Sequence, residues 1–131
     1  MDIKNLTEKD LYLPVKELFE GMGYTVKGEV KNCDLVARAE GKTLVLVELK
    51  KALNLELMIQ VTDRLTISDE VYFAFPLPKT TQKNSIWNRK RPSLLRLCRR
   101  IGVGVIAVHV NRVKKPYADI QLAPGPYDPR K

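Results

Sequence analysis

Three charged residues lie in an otherwise apolar stretch, "CDLVARAEGKTLVLVELK", which covers residues 33–50. Asp34 opens the first of two strand-forming runs, whereas Glu48 and Lys50 close the second. If a turn centres on Gly41, residues whose numbers add up to 82 lie opposite each other, and Asp34 and Glu48 satisfy this condition. Opposed residues of a hairpin have Cβ atoms about 5 Å apart. The sequence therefore predicts two adjacent carboxylates.

Two adjacent carboxylates repel each other, and each raises the cost of ionising the other. A divalent cation removes that cost, and Mg²⁺ is bound through one or two carboxylates together with waters and substrate phosphates. Lys50 follows Glu48 by two residues and is predicted on the same face of the strand, where an amine can stabilise charge on a phosphodiester. This set is the minimum for metal-assisted phosphodiester hydrolysis. A plain ion pair at a strand end is the alternative.

The basic residues of the chain are concentrated in its second half. Residues 1–70 contain 10 Lys and Arg against 13 Asp and Glu, whereas residues 71–131 contain 13 against 2. An acidic half joined to a strongly basic half, with a net charge of +8, indicates a polyanionic partner, of which nucleic acid is the commonest. A basic surface without a partner is the alternative.

The densest basic stretch, residues 79–100, holds eight Lys and Arg and one tryptophan. Such residues neutralise phosphates without reading the base sequence. The tryptophan either stacks on an unpaired base or anchors a loop beneath the sheet. The predicted nucleic-acid contacts of this stretch are Lys79, Lys83, Trp87, Arg89, Lys90, Arg91, Arg96, Arg99 and Arg100.

The elements that must position these residues can be read from hydrophobic periodicity and from capping residues. A first helix is predicted within residues 6–24, capped by Thr7 with Asp10 three positions later. Pro14 lies inside this pattern, so the helix either kinks or begins there. The buried stripe of this helix is predicted to contain Leu11, Val15, Leu18, Phe19 and Met22.

A strand over 24–30 and the hairpin follow the first helix. Leu55 and Ile59 recur at helical spacing and predict a second helix. The remaining predicted elements are this helix over 54–68, strands over 70–77 and 103–110, a short helix over 93–102 after Pro92, and an edge strand over 117–123. The order αβββαβ, followed by αβ, predicts an α/β fold with a mixed central sheet flanked by helices.

Length and composition favour a single cytoplasmic domain covering residues 1–131. No apolar run approaches the roughly 20 residues that span a bilayer, and the polar start of the chain is unlike a signal peptide, so no membrane association is expected. Cys33, Cys98 and His109 are too few for a four-ligand zinc site. Both cysteines are predicted to be small buried residues without a disulfide.

Asp34, followed 14 positions later by Glu48-Leu49-Lys50 on a strand, resembles the D…(D/E)-x-K signature of the PD-(D/E)XK nuclease superfamily. The proline of that signature is not matched, because Cys33 precedes Asp34. The segments "DLYLPVKELFEGMGYTVKGEV", "CDLVAR", "VELK", "QVTDRL" and "PGPYDPR" also resemble a prokaryotic family of uncharacterised PD-(D/E)XK phosphodiesterase-like proteins.

This resemblance implies a restriction-endonuclease-like αβββαβ core and a Mg²⁺-dependent nuclease, with Mn²⁺ as an alternative ion. Asp34 and Glu48 would be metal ligands, and the backbone carbonyl of Leu49 would supply a third oxygen. Lys50 would be the catalytic lysine. The substrate would be nucleic acid, with DNA preferred, and small members of the superfamily commonly work as homodimers.

The resemblance also implies a glutamate on the first helix that points toward the metal. Glu8 falls beside the buried stripe at 100° per residue, whereas Glu17 and Glu20 fall on the opposite face, so Glu8 is the preferred candidate. A favourable charge at a helix N-terminus is its alternative role. Gln60 would support the site from the second helix. Two further residues are expected to meet phosphates nearby: Lys51 and Arg64.

Two other functional classes fit the same sequence. A catalytically inactive nucleic-acid-binding module would keep the fold and the basic half, with the three charged residues as a relic or a salt bridge. A structural subunit of a larger complex would use the apolar hairpin and the Pro-rich tail as contact surfaces. The presence of all three charges together favours the enzyme.

Overall fold

The computed structural model describes residues 6–30, 33–78, 86–110 and 114–125, and this part of the chain forms a six-stranded mixed sheet flanked by three helices. The elements are α1 (Glu8–Gly21), β1 (Thr25–Val30), β2 (Cys33–Arg38), β3 (Val45–Leu49), α2 (Leu55–Arg64), β4 (Glu70–Pro78), α3 (Ile86–Ile101), β5 (Gly104–Val110) and β6 (Tyr117–Leu122). The predicted α/β class and the predicted order of elements are confirmed.

The strands lie in the sheet in chain order, from β1 at one edge to β6 at the other. The pairs β3–β4 and β4–β5 are parallel, and the other three pairs are antiparallel. Parallel neighbours need a crossover connection, which α2 and α3 supply. Strands β1, β3, β4 and β5 therefore run in one direction and end at one side of the sheet, where β2 begins. We call this side the carboxyl edge.

The helices cover both faces of the sheet and create two hydrophobic cores. One core contains buried residues of α1 together with inward residues of the strands. The other contains Leu57 and Val61 of α2 and Cys98 of α3, which pack against the opposite face. All five residues of β3 are buried, as expected for a strand covered on both sides. Both cysteines are free and buried, as predicted.

The register of the β2–β3 hairpin agrees with the turn predicted at Gly41. Gly41 has a φ of 75°, which is the left-handed region that glycine adopts without strain. The paired residues are Leu35 with Val47, Val36 with Leu46, and Ala37 with Val45. Each pair of numbers adds up to the predicted 82, so Asp34 and Glu48 follow in the same register.

Helix α1 begins and is capped as predicted. The backbone N–H of Thr7 donates to Asp10 Oδ2 at 2.8 Å, which satisfies one of the free donors at the start of the helix. The helix continues through Pro14, so it does not begin at that residue. Leu11, Val15 and Phe19 of the predicted stripe are buried and Leu18 is partly buried. Met22 follows the last helical residue and is 41% exposed.

Helix α2 forms where it was predicted but buries a different stripe. Leu55 and Ile59 are 75% and 54% exposed, whereas Leu57 and Val61 are fully buried. The side chain of Asn54 caps the helix by accepting the N–H of Leu57 at 2.9 Å. Both stripes have helical spacing, so periodicity alone cannot choose between them. The short connection from β3 decides which one faces the sheet.

Helix α3 is longer than predicted, since it begins at Ile86 rather than after Pro92. The backbone departs from helical angles at Lys90 (φ −125°, ψ 17°), and Pro92 lies in the first turn beyond this kink, a position that suits a residue without an N–H. Cys98 is buried as predicted, with Leu94 and Leu95 partly buried beside it. None of the described helices is both long enough and apolar enough to cross a membrane.

Candidate active site

Two carboxylates meet at the carboxyl edge, where β2 begins and β3 ends. Asp34 Oδ2 accepts the backbone N–H of Leu49 at 2.8 Å, which fixes the side chain of Asp34 against the end of β3. Glu48 lies close enough to Asp34 for that side chain to raise its pKa, and it is only 2% exposed. The structure thus brings together the two predicted metal ligands, and it places the backbone of Leu49 beside them.

The environment of Glu48 opposes its ionisation. Burial raises the pKa of the Glu48 carboxyl to about 7, and the hydrogen bond and negative charge of Asp34 contribute in the same direction. The guanidinium of Arg64 acts in the opposite sense but does not prevail. Near neutral pH the Glu48 carboxyl is therefore partly protonated, and a bound cation would favour its ionised form.

Arg64, the last residue of α2, forms an ion pair with Glu48. Its Nε lies 2.8 Å from Glu48 Oε1, and the two side chains are 18% and 3% exposed. This contact adds to the phosphate contact predicted for Arg64 from the sequence. A signal for it is present in the sequence, because Arg64 follows Leu57 and Val61 on the same helical face, and a charge on a buried stripe requires a buried partner.

Lys50 is the first residue after β3, and its backbone N–H donates to Ala74 O at 3.0 Å. Its ammonium lies 3.9 Å from Glu8 Oε2, at the start of α1. The structure therefore places Lys50 and Glu8 together at the carboxyl edge, whereas Glu17 pairs with Lys115 at 2.9 Å. Lys50 thus pairs with Glu8 of α1, and Glu48 pairs with Arg64 of α2. Both charges are matched by a helix, and not by each other within the hairpin.

A cleft of about 510 Å³ opens beside Asp34 and is the larger of two described at this edge. Its walls include Glu8 and Tyr12 of α1, Glu29 of β1, and Leu49 of β3. A second cleft of about 240 Å³ contains Glu8, Lys50 and Lys51. Sequence reasoning missed Tyr12, whose place in the cleft depends on how α1 docks on the sheet, and Glu29, which the edge strand β1 brings beside β2.

The side-chain oxygen Oε1 of Gln60 is buried and has no hydrogen-bond partner in the described part of the chain. Gln60 lies one helical turn before Arg64 on α2, and residues four apart share a helix face. Buried amide oxygens are almost always hydrogen-bonded in proteins, to protein groups or to ordered water. Gln60 therefore has an acceptor available on the helix face that carries the Glu48 contact.

The oxygen donors at this edge fit Mg²⁺. Within residues 6–30, 33–78, 86–110 and 114–125, no three His, Cys, Asp or Glu side chains form a metal-binding group, so a closed protein cage is not built there. Two carboxylates and a neighbouring backbone are what Mg²⁺ uses when waters and substrate phosphates complete its coordination. His109 is engaged elsewhere, with Nε2 2.9 Å from Asp119 Oδ1.

The solvent face of α3 is strongly basic and contains no acidic residue. Its exposed basic residues are Arg89, Lys90, Arg91, Arg96, Arg99 and Arg100. Helix α3 connects β4 to β5, and Arg91 on it donates to Gln121 Oε1 of β6 at 3.3 Å. Lys51 is exposed at the carboxyl edge. Lys79 and Lys83 lie outside the described residues, as does the side chain of Trp87.

Searches of protein-family models, curated proteins and solved structures found no match to this chain. The functional interpretation therefore depends on the geometry of the carboxyl edge and on the sequence motifs. The edge combines a buried Glu48 beside a half-buried Asp34, the amine of Lys50 and the amide oxygen of Gln60, and the chain also carries a basic helix face on α3. These groups suit the binding of a divalent cation and of a phosphodiester.

Proposed function

We propose that this protein is a metal-dependent nuclease of the PD-(D/E)XK type, which hydrolyses phosphodiester bonds of nucleic acid, with DNA as the preferred substrate. The observation that carries the proposal is the Asp34–Glu48 pair, in which a 2% exposed carboxyl has a pKa of about 7. Two carboxylates held this close, one of them buried, form an arrangement that a divalent cation stabilises. The element order also agrees with a restriction-endonuclease-like αβββαβ core.

In this proposal, Asp34 and Glu48 would hold Mg²⁺ with the backbone carbonyl of Leu49. When bound, such an ion would lower the pKa of water and stabilise charge on a reacting phosphate. Lys50 is positioned by its contact with Glu8, and its ammonium would stabilise the developing negative charge. Gln60 accepts a hydrogen bond from a water that enters the site. Mn²⁺ has the same preference for oxygen ligands and would replace Mg²⁺.

The basic face of α3 gives the nucleic acid a place to bind. Its exposed arginines neutralise phosphates and release counterions, which supplies affinity without sequence choice. A nucleic acid long enough to reach from this face to Asp34 and Glu48 would present its backbone to the carboxylate pair. A cytoplasmic location and a homodimer remain part of the proposal, since they follow only from the resemblance and the composition.

Nicking of supercoiled plasmid DNA in Mg²⁺ or Mn²⁺ tests the proposal. Asp34→Asn, Glu48→Gln and Lys50→Met should each lower the rate by about 100-fold or more, because each removes a group that acts in the transition state. Glu40→Gln is the matched control, since it neutralises an exposed carboxylate in the turn of the same hairpin. Nicking that persists in EDTA, or in the Asp34 and Glu48 variants, would show that the metal mechanism is wrong.

A catalytically inactive nucleic-acid-binding module is the second candidate, and one observation favours it. Arg64 already neutralises Glu48 at 2.8 Å, so the fold can balance this charge without a metal. If the protein is such a module, its affinity for DNA should be unaffected by Mg²⁺ and by the Asp34→Asn change. Wild-type protein that binds DNA but does not cleave it with either ion would support the module over the nuclease.

A further inference from the structure

The contact between Arg64 and Glu48 occupies a carboxylate that the proposed function needs. Arg64 Nε donates to Glu48 Oε1 at 2.8 Å, and the Glu48 side chain is 3% exposed. A hydrogen bond between two charged groups is stronger than a neutral one, and removing one partner of a buried pair leaves a costly uncompensated charge. The contact is therefore a strong feature of the metal-free protein.

A guanidinium and a divalent cation compete for the same carboxylate. Each is attracted by the negative charge of Glu48, and the two cations repel each other. Even with the dielectric constant of water, a unit charge about 6 Å from a divalent ion changes its affinity by about tenfold. The buried location of Glu48 can only strengthen this repulsion.

The structure indicates which part of Arg64 can move. Its backbone carbonyl accepts the N–H groups of Ile67 at 2.9 Å and Ser68 at 3.2 Å, so the main chain is fixed at the end of α2. The long side chain reaches Glu48 from that anchor. A change of partner for Glu48 can therefore come from the Arg64 side chain, while the main chain at the end of α2 stays anchored.

We infer that Arg64 is a place-holding cation for Glu48, and that a divalent cation binding at Asp34 and Glu48 must compete with the Arg64 contact. The inference rests on the proposed function, since it takes the two carboxylates as the cation site. Arg64 is in this sense a positioning residue. It keeps the Glu48 side chain in place in the metal-free protein, and it weakens the affinity of the site for the ion.

Calorimetric titration of the folded protein with Mg²⁺ alone, without nucleic acid, tests the competition. Arg64→Gln should bind Mg²⁺ about tenfold more tightly than wild type or better, because it removes the repelling charge. Arg96→Gln is the matched control: it removes the same charge from the exposed face of α3, and its affinity should stay within about twofold of wild type.

The outcomes separate the inference from the proposed function. Equal or weaker Mg²⁺ binding by Arg64→Gln, with wild type binding normally, would overturn the competition and leave the cation site intact. Absence of Mg²⁺ binding in both folded proteins would overturn the cation site, and the competition with it. A gain of similar size in Arg96→Gln would mean that net charge, and not the Glu48 contact, controls affinity.

A second measurement uses the unmodified protein, in case Arg64→Gln does not fold. The Arg64 Nε–H should give a protected ¹H–¹⁵N signal in the metal-free protein, because it donates to a buried carboxylate. Saturating Mg²⁺ should shift this signal or broaden it through faster exchange with water, while arginine signals of α3 stay unchanged. An Arg64 signal that is the same with and without Mg²⁺ would overturn the inference.

Discussion

Glu48→Gln should change the pH dependence of stability by a predictable amount. The pKa of the Glu48 carboxyl is raised from its ordinary value of 4.5 to about 7 in the folded protein, first by burial and then by Asp34. Because the folded value is the higher one, Glu48 contributes stability that is fully present below pH 4.5 and is lost as the pH rises through 7. Glutamine does not titrate, so the variant lacks this loss.

The size of the effect follows from the two pKa values. An interval from 4.5 to about 7, at 1.36 kcal/mol per pH unit, corresponds to about 3 kcal/mol of unfolding free energy. Glu48 is 2% exposed, so screening by solvent takes little from this figure. The difference in unfolding free energy between wild type and Glu48→Gln should therefore shift by about 3 kcal/mol in favour of the variant between pH 4 and pH 8.

Urea denaturation followed by far-UV circular dichroism, at pH 4, 6 and 8 in EDTA, measures this shift. The comparison is a difference of differences, so any constant cost of the substitution, such as a weaker contact with Arg64, cancels. Mg²⁺ added at pH 8 should stabilise wild type and leave Glu48→Gln unchanged, since the ion favours the ionised pair. Parallel pH profiles for the two proteins in EDTA would refute the argument from burial and from Asp34.

Two further predictions concern the hairpin turn and the basic helix. Gly41→Ala should destabilise the protein by about 1 kcal/mol or more, because the residue has a φ of 75° that alanine adopts only with strain. No neighbour would obstruct a Cβ at Gly41, so the cost would come from the backbone alone. Gly21→Ala in α1 is the control and should be neutral or stabilising; equal effects of the two changes in urea denaturation would contradict the prediction. Replacing Arg96, Arg99 and Arg100 by Ala should make the affinity for DNA less dependent on salt. The slope of log affinity against log salt concentration should fall in magnitude by about 0.9 for each phosphate that is no longer neutralised. An unchanged slope would place the binding surface elsewhere.

The hairpin could be predicted because its determinants are local. Gly41 and the flanking strand-forming residues define the turn, and the turn fixes the register that pairs Leu35 with Val47. Since side chains alternate along a strand, the positions of Asp34 and Glu48 followed from the same count. The cap at Thr7 was equally accessible, because a capping box involves residues only three apart.

The helices show where local reasoning fails. The sequence of α2 contains two apolar stripes, and the exposed Leu55 and buried Leu57 show that docking on the sheet, not periodicity, chooses between them. The start of α3 at Ile86 was missed, because a polar stretch before Pro92 gives no apolar period to detect.

The sequence alone determined the opposition of the two carboxylates, since strand alternation and a short turn are properties of neighbouring residues. Only the tertiary structure decided that Glu48 is buried, that Arg64 neutralises it, and that Lys50 meets Glu8 of α1. Glu48 and Arg64 lie 16 residues apart, and Lys50 and Glu8 lie 42 apart. Contacts at such separations depend on how helices dock on a sheet, which is set by the packing of the whole core.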